Sequence, residues 1–299
     1  MHENIHIEKI IDPIYSEKDV EVGMLRLDKT HPIVSGNKIF KLSLYLKRAE
    51  ELGLSKLITV GGPFSNHLHA TAFAAKQKGM LSTALIRGFV PNKLSPTLQD
   101  CQDMGMELRF MDPASFEKLN LPKLASENPD AVVIPQGGYG RTGAEGAASI
   151  MALPGTSEYR FIVAACGTGT MGAGLVSGAL PTQEILLVSV LKNNFSIGDE
   201  IKALLTETER QKNYTIEDRF HMGGYAKKNQ TLFDTMNDFY KKHGIPTDFV
   251  YTGKLIFAFA QMLSENQFPP GSKILLIHSG GLQGNRSLSH NELCFGFND

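Results

Sequence analysis

The chain has 299 residues, 42% hydrophobic and 20% charged, enough apolar material for one large or two ordinary domains with real cores, which excludes a disordered chain. Its formal net charge of -1 offers nothing to nucleic acid or to an anionic membrane surface. No apolar stretch approaches a membrane span, no basic region followed by an apolar run opens the chain, and Cys101, Cys166 and Cys294 are scattered without a C-x-x-C pair. These features point to a protein of the reducing cytoplasm.

The first helix is expected at Lys38. Gly36 and Asn37, a good N-cap, precede it, and Leu42, Tyr45, Leu46, Ala49 and Leu52 follow at helical spacing. Lys38 and Lys41 both fall in the first turn, where cations oppose the helix dipole. The pair suggests amine chemistry, anion binding or both. Alone it also fits two solvated lysines at an ordinary helix start, and the later motifs favour chemistry. Lys56–Gly62 reads as a buried strand and Asn66–Gly79 as a helix. The turn joining them, Gly61-Gly62-Pro63-Phe64-Ser65-Asn66-His67, sets a hydroxyl, an amide and free N–H groups at a helix N-terminus, where a carboxylate or phosphate binds well. Ser65 by itself reads more simply as an N-cap. His67 and His69 are two apart on a helix and point in different directions, so no metal is expected.

Strands are expected at Leu81–Arg87, Met106–Met111 and Ala131–Pro135, with helices at Pro96–Met104 and Gly143–Ala152. A strand over Arg160–Ala165 then runs into Cys166-Gly167-Thr168-Gly169-Thr170-Met171-Gly172-Ala173-Gly174 and a helix over Met171–Leu180. Amides in such a turn cradle a phosphate. The run is no Walker loop, because no G-K-[ST] follows. It spells G-x-G-x-x-G, yet the next strand, Glu184–Val190, ends in Leu191-Lys192-Asn193 with no acid for a ribose, so a phosphate monoester fits better than NAD. Helices follow at Gln230–His243 and Gly253–Glu265. Tyr251, in Val250-Tyr251-Thr252-Gly253-Lys254, either packs or presents its phenol to a ligand. The strand Lys273–His278 ends at Ser279-Gly280-Gly281, where Ser279 either forms the turn or meets an aromatic ring nitrogen.

Strands alternating with helices imply an α/β protein with parallel sheets covered on both faces. Two open parallel-sheet domains are expected: a small one over residues 45–145 and a larger one built from 1–44 and 146–299.

Taken in order, Gly-Asn-Lys-x-x-Lys, Gly-Gly-x-x-Ser-Asn-His, Thr-Gly-Thr, Val-Tyr-Thr-Gly-Lys and Ile-His-Ser-Gly-Gly resemble the 1-aminocyclopropane-1-carboxylate (ACC) deaminase and D-cysteine desulfhydrase family over nearly the whole chain. These are pyridoxal-phosphate enzymes of fold type II, the tryptophan-synthase-β-like fold. The cofactor accounts for the joint need for an amine, a phosphate cradle and a ring-nitrogen partner. The resemblance implies that Lys38 bonds pyridoxal 5'-phosphate covalently and acts in catalysis, while Lys41 helps hold its phosphate. It places Gly167, Thr168, Gly169 and Thr170 at that phosphate, Asn66 beside the 3-hydroxyl and Ser279 at the pyridine nitrogen. Ser65, Asn66 and His67 would receive the substrate carboxylate, with Tyr251 facing the substrate and Ser65 and Tyr251 joining Lys38 as catalytic residues. It further implies a small amino-acid substrate and a cytoplasmic homodimer, with no nucleic-acid or membrane partner. Two departures bear on the reaction. ACC deaminases carry a tyrosine and an acid just before the His-x-Gly-Gly turn, where this chain has Leu276 and Ile277. The usual Pro-x-Leu segment with its later tyrosine is replaced by Leu282-Gln283-Gly284-Asn285-Arg286. The expected activity is therefore α,β-elimination of a thiol from a D-cysteine-like substrate, with ACC deamination as the alternative. A nucleotide-binding oxidoreductase and a non-catalytic cofactor-binding protein are the rivals from other classes.

Overall fold

Continuous apolar runs such as Phe161–Cys166 and Ile274–Ile277 have no polar face to give to water, so they form strands covered on both sides. The computed structural model describes residues 4–31, 34, 36–289 and 291–296. Its strands are β1 (Ile7–Ile10), β2 (Val20–Arg26), β3 (Lys56–Gly61), β4 (Leu81–Arg87), β5 (Met106–Met111), β6 (Ala131–Ile134), β7 (Phe161–Cys166), β8 (Glu184–Ser189), β9 (Tyr214–Glu217) and β10 (Ser272–His278). The chain divides into two compact units, Met1–Asn37 with Ala147–Asp299, and Lys38–Gly146.

The larger unit holds a six-stranded sheet in the order β1-β2-β10-β7-β8-β9. All neighbours run parallel except β1, which pairs antiparallel with β2. The helices Thr170–Gly178 and Thr252–Ser264 pack on β7 and β8. The core between sheet and helices includes Val163, Ala165, Val188, Leu255, Phe259, Ile274 and Leu276. In the smaller unit β5-β4-β3-β6 form a wholly parallel sheet. The helix Asn66–Gln77 covers β3 and β4, burying Leu68 and Ala72 against Ala84, Ile86 and Leu98.

Sequence reading misses β1, β2, β9 and the helix Ile197–Leu204. Gly23 interrupts the apolar run of β2, and β9 is four residues long with no fully buried position, so neither stands out from a loop by pattern. The helix expected over Gly143–Ala152 begins at Arg141 and tightens to a 3₁₀ turn over Ser149–Ala152. Among the described residues no helix is long and apolar enough to cross a membrane.

Candidate active site

The residues singled out by sequence fall into two groups, one in each unit. In the larger unit the strands β10, β7 and β8 are parallel neighbours, so their carboxyl ends share one edge of the sheet, the edge where ligands bind in open α/β sheets. The register pairs Ile277 with Ala164, so two residues further on Ser279 comes level with Cys166 at the mouth of the Gly167–Thr170 loop.

That loop turns into the helix Thr170–Gly178 through Gly169, whose φ of +75° is the left-handed conformation that side chains avoid. Ala173 N donates the first helical hydrogen bond, to Gly169 O at 2.8 Å. The amides of Thr170, Met171 and Gly172 therefore have no partner within the helix, at its positive end. The Thr168 and Thr170 hydroxyls lie 3.4 Å apart, Thr168 exposed and Thr170 buried. Amides, hydroxyls and a helix N-terminus converging on one turn fit a phosphate dianion. Tyr251 stands against the same loop, since a Cβ on Gly167 would lie 3.2 Å from its Cε1.

Ser279 is held from several sides. Its carbonyl accepts from Asn37 N at 3.1 Å, and Gly36 approaches so closely that a Cβ there would lie 2.1 Å from Ser279 O. His278, fully buried, accepts Gly280 N at Nδ1 (3.2 Å) and donates from Nε2 to Pro246 O (2.8 Å). Asp28 lies 3.5 Å from His278 Nδ1 and takes two hydrogen bonds from Arg26, at 2.8 and 2.7 Å. The Ser279 turn is thus rigidly mounted on β2 and β10.

Tyr251 is set by Asp248. The Asp248 carboxylate accepts from the backbone N–H of Val250, Tyr251 and Thr252, each at 2.9 Å, and from the Thr252 hydroxyl at 2.7 Å. It caps the helix that follows. The segment Leu282–Ser287 forms a 3₁₀ helix whose buried Asn285 braces the same turn, accepting from Phe249 N at 3.2 Å and donating to Thr247 O at 2.9 Å. Lys254 is fully buried and donates to Gly224 O at 2.5 Å; burial lowers its amine to about 8 against the opposing pull of Asp248. Leu276 and Ile277 are fully enclosed on β10.

In the smaller unit Lys38 opens the helix Lys38–Glu51, partly buried, and Lys41 is buried one turn on with Nζ 3.5 Å from Gly137 O. Ser65 caps the helix Asn66–Gln77, its Oγ accepting from Leu68 N at 3.3 Å, which is the simpler of the two roles the sequence offers. Asn66 begins that helix and is partly buried.

His67 is 1% exposed, and its Nε2 lies 2.9 Å from Thr59 Oγ1. Thr59 gives its single hydrogen to Ile134 O at 3.0 Å, so Nε2 carries the proton and donates to Thr59. Nδ1 is then an acceptor, buried and without a hydrogen-bond partner among the described residues. Burial first, then the charges of Lys38 and Lys41, lower the imidazole to about 3, so it stays neutral. A neutral ring with an open acceptor is disposed to receive a hydrogen bond rather than to hold a carboxylate by donating one. His69 turns elsewhere and lies 3.3 Å from Asp100.

Sequence reasoning passes over Arg26, Asp28, Asp248 and Asn285. Asp248 alone leaves a legible signal, an acid just ahead of a helical apolar run. Arg26 and Asp28 pair two residues apart and reach the Ser279 turn only through His278, and Asn285 acts on Phe249 and Thr247, so neither role shows in a local pattern.

Comparisons with known proteins give the family of the chain. The family described as "Pyridoxal-phosphate dependent enzyme" matches residues 16–280. A relative from Pyrococcus horikoshii, whose name marks it as an inferred 1-aminocyclopropane-1-carboxylate deaminase, is 30% identical over 288 residues, covering 91% of this chain and 87% of its own. A D-cysteine desulfhydrase from Klebsiella pneumoniae is 25% identical over 287 residues, covering 87% of each. Among solved structures, an ACC deaminase homologue superposes with a TM-score of 0.78 at 26% identity, covering 94% of this chain and 90% of the other.

Proposed function

The chain belongs to the pyridoxal-phosphate dependent enzymes, with ACC deaminases and D-cysteine desulfhydrases among its relatives, and on that premise we propose a lyase that removes a β-thiol from a small D-amino acid, giving pyruvate, ammonia and sulfide. The observation that carries this reading is the fully enclosed pair Leu276 and Ile277. Where ACC deaminases resemble one another in having a phenol and an acid, this strand offers only core. Opening a cyclopropane calls for such polar groups, whereas a thiol leaves readily as its anion. A missing general acid or base typically costs about 10²- to 10⁴-fold in rate.

The residues present fit the cofactor. The Gly167–Thr170 loop and Lys41 would hold its phosphate, Lys38 would bond it, and Asn66 and Ser279 would meet the ring. When bound, pyridoxal phosphate supplies the electron sink that acidifies the substrate α-carbon. Lys38 Nζ takes the α-proton. Ser65 and Asn66 bind the substrate carboxylate, and neutral His67 stands beside the two lysines as an acceptor. Tyr251 orients the substrate near its leaving group. Ser279, a neutral hydroxyl, leaves the ring nitrogen without a carboxylate partner. The reading includes a homodimer working in the cytoplasm, as the resemblance and the sparse thiols imply.

ACC deamination to 2-oxobutanoate and ammonia is the second reading. It is favoured by Tyr251, a phenol beside the loop, and by the names of the P. horikoshii relative and the solved homologue. A substrate panel on the purified protein, scored for 2-oxoacid, ammonia and sulfide, separates the two. Faster release from D-cysteine is expected; ammonia release from ACC that matches or exceeds it establishes the second reading instead.

A further inference from the structure

Tyr225 lies outside every motif that carries the resemblance. It sits between β9 and the helix Gln230–His243, and its ring meets that of Tyr251 edge-on, with centroids 6.3 Å apart and planes inclined at 71°. The backbone that presents it is strained. Met222 and Ala226, neither of them glycine, both have φ of +51°. Side chains rarely adopt this conformation, and it persists only where the surroundings impose it. Here they do: Gly224 O, one residue before Tyr225, accepts from the buried Lys254 Nζ at 2.5 Å and from Lys227 N at 3.1 Å, and Gly223 N donates to His221 Nδ1 at 3.0 Å.

The stretch from Asp248 to Lys254 therefore anchors both phenols. Asp248 fixes the backbone of Tyr251, and Lys254 fixes the turn that carries Tyr225. Burying an ammonium to hold one carbonyl is costly, so the position it secures calls for an explanation beyond packing. Tyr225 is 56% exposed and can give its own hydrogen to water, which leaves its oxygen free to accept from the more enclosed Tyr251. Tyr251 in turn borders the Gly167 loop.

We propose that Tyr225 is a positioning residue for Tyr251: it accepts the hydrogen bond of the Tyr251 hydroxyl, fixing where that oxygen points and keeping the proton on it. The proposal rests on the reading that Tyr251 faces the substrate. In the same sense, burial and the neighbouring Tyr225 hold the Tyr251 phenol well above its usual range.

The test is a pH titration of the cofactor-loaded protein carrying ¹³C at tyrosine Cζ, with the Tyr251 signal identified among the eight tyrosines by its loss in Tyr251→Phe. Tyr225→Phe keeps the ring and removes the acceptor, so the Tyr251 signal should ionise at lower pH. Lys254→Met, which frees the turn, should move it the same way. On the substrate found by the panel, Tyr225→Phe should lower kcat by on the order of ten- to a hundred-fold with KM nearly unchanged. The double variant should be no slower than Tyr251→Phe alone. A Tyr251 titration that Tyr225→Phe leaves unmoved or shifts upward, or losses that simply multiply in the double variant, would overturn the proposal. The titration needs no substrate, so a protein inert toward every amino acid counts against the proposed activity, while the phenol pair is still decided by the signal.

Discussion

Lys38 and Lys41 differ in their surroundings although one helical turn separates them. Lys38 is partly exposed at the helix start; Lys41 is buried and directed to the Gly137 carbonyl. That difference suits one amine for covalent chemistry and the other for a fixed charge. Lys38→Ala should abolish the borohydride-reducible label with the cofactor, and Lys41→Ala should keep the label while weakening cofactor affinity. Peptide mapping after reduction checks this, and a phosphopyridoxyl group found on the Lys41 side chain would reverse the roles. Gly36 shows the same dependence on surroundings: it is glycine because its φ is +94° and Ser279 O occupies the place of a Cβ. The residue types at these positions were readable from the motifs. That Lys41 is buried, that His67 is neutral and that Ser279 is braced by Gly36 were not, because each depends on a partner outside its own segment.

At the scale of elements, the turn into the helix Thr252–Ser264 is the best-secured part of the candidate site. Asp248 caps it from within, and Asn285 grips it from the 3₁₀ segment Leu282–Ser287. Within the unusual Leu282-to-Arg286 run, Asn285 thus braces the connection from the helix Gln230–His243 to the helix Thr252–Ser264, which carries Tyr251. Asn285→Ala leaves a buried N–H at Phe249 and a buried carbonyl at Thr247 without that partner. It should destabilise the protein by about 1–3 kcal/mol. Denaturant unfolding of the variant measures the loss, and stability equal to that of the parent chain would show the clamp to be idle.

For the whole molecule, the buried neutral His67 predicts a particular acid sensitivity. Its folded value, about 3, lies below the unfolded value of 6.5, so the unfolded chain binds the proton first as pH falls. Stability is therefore unaffected by this group above about pH 6.5 and is lost progressively from there toward pH 3. The slope is at most about 1.4 kcal/mol per pH unit. Unfolding free energies of the parent chain and of His67→Gln, compared from pH 7 down to pH 4, should diverge in that window, with the parent falling more steeply. Parallel curves would mean that His67 accepts a proton in the folded state.

The sequence by itself determined the α/β class, the parallel strands, and the glycine-marked strand ends of the candidate site. Each of these is local: an apolar run long enough for a strand, a glycine where a chain must turn, a hydroxyl at a helix start. The motifs also carried the family resemblance, because their residue types and order are properties of the chain alone. Only the tertiary structure decided what holds those motifs in place. Asn285 reaches Thr247 and Phe249, Lys254 reaches Gly224, and Tyr225 reaches Tyr251, each across a separation that no helical or strand period spans. Such pairings follow from how the layers pack, and packing sums contacts over the whole unit rather than over any one segment.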